Sequence, residues 1–156
     1  DIMSHFGVKS DFNTGNLKII KSSRHKDEFE FDFINCPDIA QTIMATGAAL
    51  KMKIKFRGLQ TLKIKESDRI EAMNTELKKV GYSLTEMGDR WYLDGVFKKE
   101  EITIETYQDH RIAMSFAPLI LKIPKIKICD PEVVDKSCPD FWRDLKTLGI
   151  SIDKVI

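Results

Sequence analysis

The order of predicted elements repeats along this chain, and the repetition restricts the fold more than any other feature of the sequence. Asp38 begins one apolar, Ala-rich segment and Asp109 begins another. Each segment runs to a Leu-Lys pair, at 50–51 and at 121–122, and a segment rich in Lys and Ile follows. These patterns predict the order β-α-β-α-β-β about twice, with the opening residues as the end of a third copy. A chance likeness between two α/β halves is the alternative, since strands and helices often alternate.

Hydrophobic periodicity predicts the elements within each copy. Alternating Phe and acidic residues over 28–33 indicate a strand, and the apolar segment 37–50 indicates a helix that is buried on nearly all sides. Ser67 or Asp68 caps the clearest helix, which ends before Gly81. Further strands are predicted at 17–21, 53–57, 82–86, 90–93 and 102–105, and further helices at 2–6, 109–121 and 139–148.

Composition is that of an ordinary globular protein. The chain has 156 residues, of which 42% are hydrophobic and 31% are charged. With a net charge of only +1, it lacks the strongly positive surface expected of a nucleic-acid binder. No apolar run approaches the roughly 20 residues that span a bilayer. The odd number of cysteines, three, favours free thiols in a reducing compartment, so we expect a cytoplasmic protein. Because the sequence starts at Asp1, within a predicted helix, we also expect it to be a piece of something longer.

Two short runs concentrate acids and bases at the starts of predicted helices. They are Lys-Glu-Ser-Asp-Arg at 65–69 and Asp-His-Arg at 109–111. Unpaired backbone N–H groups at a helix N-terminus favour negative charge, and nearby basic side chains add to this preference. Lys65, Glu66 and Arg69 could all face one anionic ligand. The two runs are therefore candidates for a site that binds an anion and moves protons.

Each run also has a purely structural explanation. Ser67 can cap a solvated helix whose neighbouring charges only face water, and Asp38 can simply cap the helix that it begins. His110 and Arg111 can be held in a buried ion pair with Asp109. Lys136, one lysine among many, signals nothing by its position alone.

The ordered motifs resemble the C-terminal part of the 5-enolpyruvylshikimate-3-phosphate synthase family. The matching segments include Pro-Asp-Ile-Ala-Gln-Thr at 37–42, Lys-Glu-Ser-Asp-Arg-Ile at 65–70, Asp-His-Arg-Ile-Ala-Met at 109–114 and Lys-Ser-Cys-Pro-Asp-Phe at 136–141. The resemblance implies an α/β (α+β) fold, an enolpyruvyl transferase-like domain of repeated β-α-β-α-β-β units with mixed sheets packed around helices. Residues 1–156 would then be a partial C-terminal domain, about two and a half repeat units, with the N-terminal domain absent.

The resemblance also implies a reaction, with neither a metal nor an organic cofactor. The carboxyvinyl group of phosphoenolpyruvate is transferred to the 5-hydroxyl of shikimate 3-phosphate and phosphate is released, in the shikimate pathway of aromatic amino acid biosynthesis. Asp38 matches the general base, and Glu66 matches the acid that protonates the methylene carbon. Arg69, Arg111 and Lys136 match the residues that bind phosphoenolpyruvate. Asp38 and Lys65 match residues that contact shikimate 3-phosphate, and His110 matches a supporting residue that positions Glu66 or Arg111.

The comparison with the family also sets expectations about partners. Thr61 departs from the family pattern, because some members have there an asparagine that touches the shikimate ring. In the family most of the shikimate 3-phosphate site lies in the N-terminal domain, so that domain is the expected partner and the fragment alone is expected to be inactive. No nucleic-acid or membrane partner is expected. The alternatives are the related enzyme acting on UDP-N-acetylglucosamine, whose motifs fit less well, and a non-catalytic α/β domain that binds an anion or packs against a neighbour.

Overall fold

The computed structural model of the chain describes residues 2–13, 15–22, 24–65 and 67–154. Short 3-10 turns lie at Pro37–Ile39, Gln60–Ile64, Ala117–Leu121 and Pro131–Val134. The helices and strands of these residues are α1 (Ile2–His5), β1 (Val8–Asn13), β2 (Asn16–Lys21), β3 (Glu28–Asp32), α2 (Ala40–Ala49), β4 (Lys53–Arg57), α3 (Arg69–Lys79), β5 (Tyr82–Met87), β6 (Arg90–Gly95), β7 (Ile102–Ile104), α4 (His110–Phe116), β8 (Ile126–Ile128) and α5 (Phe141–Thr147).

The central sheet is mixed, with the strand order β3-β4-β6-β5. β3 and β4 are parallel, whereas β6 is antiparallel to both of its neighbours. The buried helix α2 packs against β4, β6 and α4. Gly47 permits this close approach, because a Cβ there would lie 2.4 Å from Cδ1 of Ile54 on β4. The predicted buried helix and the predicted mixed sheet are confirmed.

The opening residues agree with the predicted end of a further copy. The β1-β2 hairpin pairs Val8 with Lys21, just as the β5-β6 hairpin pairs Tyr82 with Gly95. Gly7 and Gly81 precede these hairpins with φ values of 73° and 81°, a left-handed conformation that glycine adopts at little cost. In each copy a backbone N–H just after the hairpin donates to the carbonyl of that glycine, at 2.9 Å and 3.0 Å.

Two parallel β-α-β units place the starts of two helices side by side. In one unit α2 connects β3 to β4, and in the other α4 connects β7 to β8. Because α2 and α4 pack against each other, the turns that follow β3 and β7 come together. The third helix start nearby is that of α3, where Asp68, one of the two predicted caps, accepts a hydrogen bond from the backbone N–H of Glu71 at 3.0 Å.

Several predicted boundaries are wrong for identifiable reasons. The helix predicted over 37–50 begins only at Ala40, because the chain first makes the 3-10 turn that contains Pro37. The helix predicted over 109–121 ends at Phe116, where Pro118 lacks the N–H that would continue the α-helical pattern. Strand β1 was not predicted, since its side chains show no apolar alternation and nearly all are exposed.

Two further findings concern the helices and the cysteines of the described residues. None of their helices has the length and apolarity required to cross a membrane. The three cysteines, Cys36, Cys129 and Cys138, are free thiols.

Candidate active site

Arg69 lies at the centre of the three helix starts. It is the first residue of α3, and its side chain is only 2% exposed. Its Nη1 donates to Oδ1 of Asp38 at 3.0 Å, and its Nε donates to Oδ2 of Asp109 at 2.5 Å. One guanidinium therefore joins the acidic residues at which the two repeated apolar segments begin. Arginine suits this position because its rigid fork can donate to two carboxylates at once.

Asp109 is a buried cap as well as an ion-pair partner. Its side chain is 0% exposed, and its Oδ1 accepts a hydrogen bond from the backbone N–H of Arg111 at 2.9 Å. The same oxygen lies 3.4 Å from Nη2 of Arg69. The buried ion pair proposed as an alternative for this run does exist, but Asp109 forms it with Arg69.

Asp38 has a different environment. Ile39, not Asp38, is the N-cap of α2, and no side chain provides a capping hydrogen bond there. The Asp38 side chain is 41% exposed, and Nη2 of Arg111 and Nζ of Lys65 approach its carboxylate to 3.4 Å and 3.7 Å. Nη1 of Arg111 also donates to the Asp38 carbonyl at 2.8 Å. The explanation of Asp38 as a simple helix cap is wrong, since its carboxylate faces three cationic side chains instead.

His110 and Lys136 adjoin this network. Burial lowers the pKa of His110 below its ordinary value of 6.5; nearby Asp109 opposes the shift, and Lys136 and Arg111 add to it. The ring Nδ1 is buried without a hydrogen-bond partner among the described residues and lies 3.9 Å from Oδ1 of Asp109. Lys136 is exposed, and its Nζ donates to the carbonyl of Gln108 at 3.4 Å, just before α4. Burial and the neighbouring cationic side chains therefore both disfavour protonation of this imidazole.

The structure thus brings most of the predicted site residues together. Asp38, Lys65, Arg69 and Arg111 are in one network of contacts, with His110 and Lys136 beside it. Glu66 lies outside the described residues. Thr61 is exposed in the 3-10 turn Gln60–Ile64. The assignment of these side chains to particular substrates stays a prediction.

Six of the described residues have buried side-chain polar atoms without a hydrogen-bond partner, and four of the six are at or near the three helix starts. In the part of the chain that the structure describes, buried side-chain atoms without a partner include those of Gln41 in α2, Ser67 just before α3, and Thr106 and His110 near the start of α4. Buried polar atoms normally have a hydrogen-bond partner in a folded protein. Over the described ranges no group of three or more His, Cys, Asp or Glu side chains is placed to hold a metal ion.

Sequence reasoning missed the residues that support the turn before α4. Glu76 on α3 is fully buried, and its Oε1 accepts a hydrogen bond from the Tyr107 hydroxyl at 2.9 Å. This bond and burial raise the pKa of Tyr107 to about 12, with burial as the larger cause. The available signal was an acidic residue on the apolar face of α3, beside Met73 and Leu77, where a solvated charge is not expected.

A family model for EPSP synthase (3-phosphoshikimate 1-carboxyvinyltransferase) matches residues 1–145 of the chain. The chain belongs to the EPSP synthase family. Its relatives include the 3-phosphoshikimate 1-carboxyvinyltransferase of Bacteroides fragilis (strain YCH46), 40% identical over 155 residues, which cover 97% of this chain and 38% of the relative. The enzyme of that name from Clostridium novyi (strain NT) is 32% identical over 160 residues, covering 99% of this chain and 35% of the relative.

A solved EPSP synthase has the same fold. The structure from Acinetobacter baumannii superposes with a TM-score of 0.79 at 26% identity, and the match covers 97% of this chain and 38% of that one. The predicted family and the predicted α/β fold class, an enolpyruvyl transferase-like domain, are confirmed. The chain spans 38% of the length of the Bacteroides EPSP synthase that it matches.

Proposed function

We propose that this chain is part of a 3-phosphoshikimate 1-carboxyvinyltransferase. The enzyme transfers the carboxyvinyl group of phosphoenolpyruvate to the 5-hydroxyl of shikimate 3-phosphate and releases phosphate. One observation carries the proposal: the half-exposed carboxylate of Asp38 is free of any capping role and faces Arg69, Arg111 and Lys65 at 3.0–3.7 Å. A carboxylate next to an open cluster of cations suits a reaction that moves a proton beside an anionic substrate.

The cationic side chains have separate proposed roles. Arg69, Arg111 and Lys136 bind phosphoenolpyruvate, since guanidinium forks match carboxylate and phosphate oxygens and a lysine can stabilise departing phosphate. Lys65 contacts shikimate 3-phosphate together with Asp38. Arg111, whose side chain is 34% exposed, is more open to a ligand than the buried Arg69.

The proton transfers are assigned to Asp38 and Glu66, the two acids that match the family motifs. Asp38 accepts the proton of the 5-hydroxyl as that oxygen attacks C2 of phosphoenolpyruvate, while Glu66 protonates the methylene carbon to give a tetrahedral adduct. Phosphate then leaves and takes up the proton from Asp38, and the new methyl group returns a proton to Glu66, which restores the vinyl group. The role of Glu66 rests on the family motif, whereas that of Asp38 is supported by its contacts with the cations.

His110 and the rest of the enzyme complete the proposal. His110, whose pKa is lowered by burial, supports the site by positioning Glu66 or Arg111. Residues 1–156 form part of the C-terminal domain, and the N-terminal domain supplies the remainder of the shikimate 3-phosphate site. We therefore expect these residues alone to give no turnover, because the site is shared between domains that close on each other. The cytoplasmic location stays a prediction.

The test is phosphate release by the full-length enzyme with phosphoenolpyruvate and shikimate 3-phosphate. Glu66→Gln should reduce kcat about 100-fold or more, whereas Glu71→Gln, a change at an exposed acid nearby on α3, should leave kcat unchanged. Turnover with UDP-N-acetylglucosamine but not with shikimate 3-phosphate would reassign the enzyme. Binding of phosphate without turnover of either acceptor would instead favour the non-catalytic anion-binding domain.

A further inference from the structure

Glu76 is a buried acid with partners on both carboxylate oxygens. Oε1 accepts from the Tyr107 hydroxyl at 2.9 Å, and Oε2 accepts from Nζ of Lys79 at 2.7 Å and from the backbone N–H of Glu105 at 3.2 Å. Its side chain is 0% exposed. A charge so completely removed from water is retained only where its partners are fixed. Two of those partners belong to the loop that connects β7 to α4.

That loop has an unusual backbone. Tyr107 and Gln108 have φ values of 53° and 56°, in the left-handed region that residues other than glycine rarely adopt. Two such residues in succession need support from their surroundings. Glu76 supplies it, because it holds the backbone at Glu105 and the side chain of Tyr107.

The same helix holds the other end of the loop. Arg69 and Glu76 lie about two turns apart on α3 and therefore on one face of it. Arg69 donates to Asp109, the last loop residue, while Glu76 bonds to the beginning and middle of the loop. Helix α3 thus holds the loop at both ends. Arg111 lies two residues beyond Asp109, and its Nη1 donates to the Asp38 carbonyl at 2.8 Å.

We propose that Glu76 and Tyr107 form a clamp that positions Arg111 for the anionic groups of phosphoenolpyruvate. Glu76 and Tyr107 are positioning residues, since they act on the substrate only through the loop and Arg111. The effect of the clamp on phosphoenolpyruvate binding rests on the proposed function. It assigns a role to a buried charge that the proton transfers do not use.

The kinetic experiment uses the full-length enzyme with the variants Tyr107→Phe and Glu76→Gln. Tyr107→Phe removes one hydroxyl and keeps the ring, so it should fold like the wild type and raise KM for phosphoenolpyruvate about threefold. Glu76→Gln breaks more of the clamp and should raise that KM about tenfold. For both variants kcat and the KM for shikimate 3-phosphate should change less than about twofold. The matched control is Glu101→Gln, which removes an exposed acid paired with Lys125 at 2.8 Å and should alter none of these constants.

A double variant shows whether the two residues act together. Because Glu76→Gln and Tyr107→Phe disturb the same hydrogen bond, the double variant should raise KM no more than Glu76→Gln alone. Independent, multiplied effects would overturn the clamp. Unchanged KM for phosphoenolpyruvate, or equal increases for both substrates, would also overturn it, whatever happens to the melting temperature.

Amide hydrogen exchange separates the clamp from the proposed function. In Tyr107→Phe, exchange over 105–111 should quicken about threefold or more, while exchange in the β5-β6 hairpin should not change. If the wild-type protein turns over neither substrate and Tyr107→Phe still shows faster loop exchange, the proposed function is contradicted but the clamp on the loop is supported. Unchanged exchange in both variants would overturn the clamp, even in a fully active enzyme.

Discussion

The start of α2 and the start of α4 occupy equivalent places in two β-α-β units, yet they use their aspartates differently. Asp38 and Asp109 both accept hydrogen bonds from Arg69. Asp109 is completely buried and caps α4. Asp38 lies in a 3-10 turn, caps nothing in α2 and is 41% exposed. The repeat therefore provides two acids, of which one is a buried helix cap and the other is half-exposed and caps no helix.

The physical cause of the difference is the local backbone. At α4 the aspartate directly precedes the first helical residue, so its carboxylate can reach the backbone N–H of Arg111. At α2 the turn Pro37–Ile39 comes between, and Ile39 takes the N-cap. The Asp38 carboxylate consequently contacts the side chains of Arg111 and Lys65 instead of a backbone N–H group. A small change in the entry to a helix thus separates a structural acid from one that can bind or react.

The largest effect that distinguishes the two acids should be on stability. Asp109→Ala leaves the buried guanidinium of Arg69 without its main partner and should cost about 3–5 kcal/mol of unfolding free energy. Asp38→Ala, at a half-exposed acid, should cost about 1 kcal/mol or less. The measurement is urea denaturation of the full-length variants beside the wild type. Equal losses of unfolding free energy for the two variants would contradict this difference between the two aspartates.

A second effect concerns the contact between the two helix starts. Arg111→Lys removes the fork that reaches both the carbonyl and the carboxylate of Asp38, so we expect KM for phosphoenolpyruvate to rise about tenfold. Arg90→Lys is the matched control, because Arg90 pairs with the exposed Glu30 at 3.2 Å away from the helix starts. Steady-state kinetics of the full-length enzyme check this expectation. An unchanged KM for Arg111→Lys would mean that the Arg111 side chain does not bind phosphoenolpyruvate.

The smallest effect is a pH dependence at the α4 start. Because burial lowers the pKa of His110 below 6.5, the unfolded chain takes up a proton below that pH more readily than the folded protein. Stability should therefore fall as the pH drops below 6.5, by at most about 1.4 kcal/mol per pH unit from this group. In His110→Asn the slope should be smaller but not zero, since burial also lowers the pKa of His5. Melting temperatures between pH 5 and pH 7 test this, and an unchanged slope would contradict it.

Local sequence patterns predicted much of this fold. The cap and apolar stripe of α3, the burial of α2 and the strands β5 and β6 all follow from residues close together in the chain. The family motifs also named four residues that the structure brings into one network, Asp38, Lys65, Arg69 and Arg111, whose roles stay predictions. These features depend on neighbouring residues or on ordered motifs, so they could be predicted from the sequence.

The remaining features depend on contacts between distant segments. Arg69 lies between Asp38 and Asp109 only because the two β-α-β units pack together, and no local pattern reports that. Likewise, the burial of Glu76 becomes understandable only once the loop carrying Tyr107 folds over it. Whether an aspartate caps a helix or faces its neighbours is decided by a single turn of backbone.

The most direct test of this division of roles compares Asp38→Asn with Asp109→Asn in the full-length enzyme. For each variant, kcat for phosphate release and the melting temperature are measured together, with Asp94→Asn, at an exposed aspartate paired with Lys53, as control. We predict that Asp38→Asn reduces kcat about 100-fold or more and leaves the melting temperature nearly unchanged, while Asp109→Asn mainly lowers the melting temperature. A stable Asp38→Asn variant with wild-type kcat would contradict the account.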